Sequence, residues 1–138
     1  MASTGYLDTD VIIRYLTGDD SDKQLAASDL FTRVDAREIS LTVIDTVVAD
    51  AVCVRTSPRQ YGLSREDAGA MLAALLASPG FVLRNKRAVL DALRLFSSSL
   101  LDFGDCMIAA TMRASSERML YSYDRHFDRF DDIERVEP

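Results

Sequence analysis

Apolar residues recur along this chain in two rhythms. Val11, Ile12, Tyr15 and Leu16 repeat at steps of three and four, as do Leu25, Ala26, Leu30, Phe31 and Val34, which is the spacing of one helix face. Between such segments stand brief runs: Tyr6–Leu7, "EISL" (38–41), "FVL" (81–83), "MLYSY" (119–123) and "IERV" (133–136). Each is too brief for a hairpin, so strands alternating with helices predict an α/β fold with a mainly parallel, five-stranded sheet flanked by helices.

Punctuation between the segments is consistent with that order. Gly18 and "DDSD" mark a turn, and Thr42 is a plausible cap for a helix running to about Arg55. "SPRQYG" (57–62) reads as a loop. Ser64 with Asp67 resembles a variant capping box for the helix "REDAGAMLAALLAS", which Pro79-Gly80 ends. Ala88 to Phe96 is helical, and "SSSLLDFGD" leads into "CMIAATMRASS", a helix with Ile108, Ala109 and Met112 on one side. "RHFDRF" (125–130) forms a short amphipathic turn. No repeat or linker interrupts the pattern, so one domain over 1–138 is expected.

Bulk composition narrows the function classes. A chain of 138 residues, 48% hydrophobic and 28% charged, is globular rather than disordered. No apolar run reaches the ~18 residues of a membrane helix, and no secretory signal opens the chain. Cys53 and Cys106 share no metal or redox spacing and read as small core residues of a reducing compartment, the cytoplasm. The net charge of −6 argues against bulk electrostatic binding of nucleic acid. It does not exclude a nuclease, because carboxylates that bind a cation inflate the formal negative count. Of the basic residues, 14 are Arg and 2 are Lys, which suits forked phosphate contacts but also follows from genome composition.

The candidate chemistry lies in the acids. Sites in open α/β sheets form beyond the carboxyl ends of strands, where Asp8 and Asp124 fall. Asp102 and Asp105 open the penultimate helix on one face. Each has a structural alternative as a helix cap or first-turn acid. Asp50 does not, because it stands mid-helix in the stripe Val43, Val47, Asp50, Val54. A carboxylate buried there must be paired, protonated or metal-bound, and an Arg salt bridge is the plain alternative. Convergence of Asp8, Asp50, Asp105 and Asp124, with Asp102 near, would call for a hard divalent cation such as Mg2+ or Mn2+.

The segments "YLDTDVIIRYL", "TVIDTVVADAVCV", "LDFGDCMIAA" and "LYSYDRHFDRF" occur in an order and at distances that resemble a PIN-domain ribonuclease of the VapC toxin type, over nearly the whole chain. The resemblance implies metal-dependent hydrolysis of RNA to 5′-phosphate and 3′-hydroxyl ends. Asp8, Asp105 and Asp124 would be acidic ligands, Asp50 would replace the family's usual Glu, and Asp102 would lie just behind them. Ser122 falls where a Thr or Ser orients water or phosphate. The same resemblance implies a cognate antitoxin and a homodimer. Met71, Leu72, Leu75 and Leu76 on helix 65–77 are mostly core, with an excess on two sides that suits a groove for such a partner.

Other residues carry less. Arg14, Arg55 and Arg113 are candidate phosphate contacts, with solvated surface as the alternative. His126, the only histidine, is expected exposed in the amphipathic turn and outside the chemistry. A haloacid-dehalogenase phosphatase is disfavoured by Ile12 after "LDTD" and by Ala109 where its late motif needs an acid. A receiver domain lacks its late Lys, and "DFG" copies a kinase signature by chance. The remaining alternative is a PIN-fold RNA- or partner-binding protein whose Asp50 supports little or no cutting.

Overall fold

The computed structural model describes residues 4–56 and 62–138; the side chain of Arg55 and most of the 57–62 loop lie outside the described residues. The elements are β1 (Gly5–Tyr6), α1 (Thr9–Leu16), α2 (Ser21–Asp35), β2 (Leu41–Thr42), α3 (Asp45–Thr56), α4 (Arg65–Leu76), β3 (Phe81–Val82), α5 (Lys86–Ser97), α6 (Phe103–Ser115), β4 (Met119–Tyr121), a 3-10 helix (Arg125–Arg129) and β5 (Glu134–Val136).

Every strand pairing among the described residues is parallel, but the strands do not form one five-stranded sheet. The order β1-β2-β3 makes one sheet, and β4-β5 makes a second. The difference lies in strand length and burial. Strands of two or three residues form few rungs, and Tyr6, Met119 and Tyr121 are 79%, 50% and 66% exposed, so little apolar burial drives the two ladders together.

The core lies on the other side of the first sheet. Leu41 and Phe81 pair in register and point into it, while Tyr6, Thr42 and Val82 share the outer face. Phe31 stacks edge-on against both Tyr15 and Phe81, at 4.8 and 5.3 Å between ring centres, and so joins α1, α2 and β3. Helices α4, α5 and α6 pack in sequence, and α3 packs on α1, α4 and α6.

Two glycines allow this packing. A Cβ on Gly69 would lie 2.7 Å from the Leu93 carbonyl oxygen, and one on Gly80 would lie 2.7 Å from the Val34 carbonyl oxygen. At the start of α4, Ser64 accepts from the Asp67 N–H at 3.1 Å, as its capping pattern predicts.

Several expectations are corrected. Thr42 ends β2 and does not cap α3, which begins at Asp45. The buried face of α3 is Val47, Val48, Ala51 and Val52, so Asp50 sits on the exposed flank. Cys53, three residues on, is exposed on that same flank and is not a core residue, whereas Cys106 is fully buried. The stripe read from the sequence was rotated away from the true core face, since α3 is apolar around most of its circumference. Leu25 and Ala26 on α2 and Ile108 on α6 likewise face solvent.

Candidate metal centre

Asp105 lies in the first turn of α6 and Asp124 caps the 3-10 helix after β4. Their carboxylates and the His126 ring each offer a donor atom, and these atoms all lie within 4.8 Å of one another. Asp102, the N-cap residue of α6, makes no side-chain hydrogen bond to the helix it begins. Burial pushes the Asp105 carboxyl above its usual range; Asp124 and then Asp102 push it further, and His126 opposes them.

Local chain geometry holds Asp124 in place. Its N–H donates to Ser122 Oγ at 3.0 Å, and its Oδ1 accepts the His126 N–H at 2.8 Å. Arg135 of β5 braces the segment from behind. It donates to the Ser122 carbonyl at 3.1 Å and forks onto both Asp128 oxygens at 2.8 and 3.3 Å. That pairing lowers the Asp128 carboxyl. Ser122 therefore stands beside the site as expected, and its oxygen fixes the backbone of Asp124.

Asp8 and Asp50 meet at one cavity and are not part of the Asp105–Asp124–His126 group. They line an open cavity of about 530 Å3, with Asp10, Arg14 and Cys53 in the same wall. Asp8 is also the N-cap of α1, accepting from the Thr9 N–H at 2.7 Å. Capping occupies one oxygen and leaves the second for other work. The two acidic groups ride on consecutively packed helices, α1 on α3 and α3 on α6.

Of the candidate phosphate contacts, Arg14 lines that cavity and pairs with Asp19 at 3.3 Å. Arg113 is engaged by Asp132 at 2.9 Å and lies 5.0 Å from the Phe130 ring centre, tying the end of α6 to the β5 approach.

The sequence reading set His126 outside the chemistry and did not single out Arg65. His126 is 69% exposed, as expected of the turn, yet its Nδ1 stands 3.1 Å from Asp124 Oδ1. The Asp-x-His spacing after a strand was the available signal. Arg65, the first residue of α4, donates through Nε to the Ser99 carbonyl at 2.9 Å and also bonds the Leu101 carbonyl. Its guanidinium lies 3.7 Å from the Phe96 ring centre. It thus pins the loop leading to Asp102 and Asp105, and no local pattern marks a contact between residues so distant in sequence.

The donor set fits a divalent cation. Oxygen ligands predominate, and carboxylates that raise a neighbour's pKa by mutual repulsion are relieved by a positive charge between them. The PIN domain family model matches residues 5–133, and the chain belongs to that family. No curated protein matches the chain.

Proposed function

We propose that this chain is a metal-dependent endoribonuclease, the toxin component of a toxin–antitoxin pair, working as a single domain over 1–138 in the cytoplasm. The gathering of donor atoms from Asp105, Asp124 and His126 within 4.8 Å of one another carries the proposal, and the Asp105 carboxyl, raised by burial and then by its acidic neighbours, is relieved by a cation. Asp105 and Asp124 would hold Mg2+ or Mn2+. Asp8 and Asp50 would complete the set or orient water, with Asp102 alongside. When bound, the cation polarises a phosphoryl oxygen and lowers the pKa of a water.

The protein's own groups do the rest. Ser122 fixes Asp124 and presents its hydroxyl to water or a phosphate oxygen. Arg14, at the mouth of the Asp8–Asp50 cavity, would meet the RNA backbone. Met71 and Leu75 of α4, with Tyr15, Leu16 and Phe31, line an open cavity of about 370 Å3, where a partner would bind. That groove suits an antitoxin helix, and a second copy of the chain would make the homodimer.

Cleavage of structured RNA with Mg2+ or Mn2+ tests the proposal. Asp8→Asn is expected to abolish cutting, and Asp50→Glu to keep or raise it. Unchanged cutting by Asp8→Asn would remove Asp8 from the mechanism. A melting temperature that neither cation raises would remove the metal.

A second reading, a PIN-fold RNA or partner binder with little nuclease activity, draws on Asp50. That residue is short, exposed and outside the Asp105–Asp124–His126 group. RNA binding without cutting, unchanged in Asp50→Glu, is the outcome that favours it.

A further inference from the structure

We infer that His126 is a direct nitrogen ligand of the cation held by Asp105 and Asp124, and that it tunes the site toward Mn2+ over Mg2+. The inference rests on the reading of those two aspartates as cation ligands.

Geometry supplies the first reason. Adjacent ligand atoms on a six-coordinate ion with bonds near ~2.1 Å stand about 3 Å apart, and opposite ones about 4.2 Å. His126 Nδ1 and Asp124 Oδ1 are 3.1 Å apart, an adjacent-pair separation. The whole three-residue group spans no more than 4.8 Å, which small side-chain rotations close to bonding distance. Asp124 Oδ1 spends one lone pair on the His126 N–H at 2.8 Å and keeps another. The tight turn of the 3-10 helix holds the ring near this corner, because the His126 backbone N–H is tied to the same Asp124 oxygen.

Chemistry supplies the second. An imidazole nitrogen is a poor partner for Mg2+, which prefers oxygen and water, and a good one for first-row transition ions. With His126 exposed at 69%, a cation held there would be open to water and to a phosphate oxygen. The rival role for His126 is a hydrogen bond from Nδ1–H to Asp124, which would hold the carboxylate without touching the ion. Nδ1 cannot serve both roles at once.

Pulsed electron paramagnetic resonance of Mn2+ added to the purified chain separates them. The wild type is expected to show the nitrogen coupling of a directly bound imidazole, and His126→Ala to lose it. Calorimetric titration should then show Mn2+ affinity falling in His126→Ala by at least the roughly 10–100-fold that loss of an outer-shell partner costs, and Mg2+ affinity changing far less. His126→Ala keeps the backbone N–H to Asp124 and removes only an exposed ring, so its melting temperature in chelator should match the wild type. Mn2+ bound without nitrogen coupling, or an equal loss for both ions, overturns the inference and leaves the carboxylate site standing. Asp105→Asn is the control. If it binds Mn2+ as well as the wild type does, or if the wild type binds neither ion, the cation reading fails and His126 falls with it.

Discussion

Replacing Arg65 with methionine probes how the start of α6 is held. Arg65 donates to the Ser99 and Leu101 carbonyls and lies over Phe96 at 3.7 Å. Hydrogen bonds from a charged donor contribute about 1.5–3 kcal/mol when well buried, and partial exposure here reduces each to about 1 kcal/mol. The cation–π contact adds about 0.5–1 kcal/mol. Methionine keeps much of the apolar stem but none of the donors, so the expected loss is about 2.5 kcal/mol. For a domain of this size that lowers Tm by roughly 8 °C in calorimetry. Lysine in the same place restores one carbonyl contact at best and recovers less than half of the loss. The 98–102 loop should loosen as well, which hydrogen exchange at Leu101 and Cys106 would read. Cation affinity should fall too, by less than the roughly tenfold that follows loss of a ligand's own partner. A Tm within 2 °C of wild type would refute the reasoning, because the loop would then be held by its other contacts.

Two further outcomes follow from the structure. In Asp105→Asn the raised carboxyl of the wild type sets the direction of the effect. Below the unfolded value near 3.8 the proton is bound in both states, and as pH rises through the higher folded value the native state carries a cost the unfolded state does not. Asp105→Asn in chelator should therefore melt above wild type at pH 7 and lose that advantage in acid; equal melting at both pH values would contradict it. Gly69→Ala places a methyl 2.7 Å from the Leu93 carbonyl and against Ser97, so α4 and α5 must separate. The expected cost is about 1–3 kcal/mol by denaturant unfolding, and a variant as stable as wild type would show that the two helices move apart freely.

Local pattern and tertiary packing divide the information unevenly. The helices were legible because burial on one face leaves a spacing of three and four in the chain itself, and α1, α4 and α6 lie close to where that spacing puts them. Single acids at helix starts were legible for a similar reason, since Asp8, Asp105 and Asp124 each occupy a cap or first-turn position that local chemistry favours. The rotation of α3 was not, because a helix apolar nearly all round has no preferred inward side until neighbours choose one. That choice put Asp50 and Cys53 in solvent.

By itself, then, the sequence determined which segments are helix or strand, that the strands run parallel and which acids stand at their ends, because these depend on residues within a turn or two of one another. Only the tertiary structure decided that the strands divide into two ladders, that Asp105 comes within 4.8 Å of Asp124 and His126, and that Arg65 reaches across to the α6 entrance. Those depend on contacts between distant segments, where a few ångströms of helix placement decide which side chains meet.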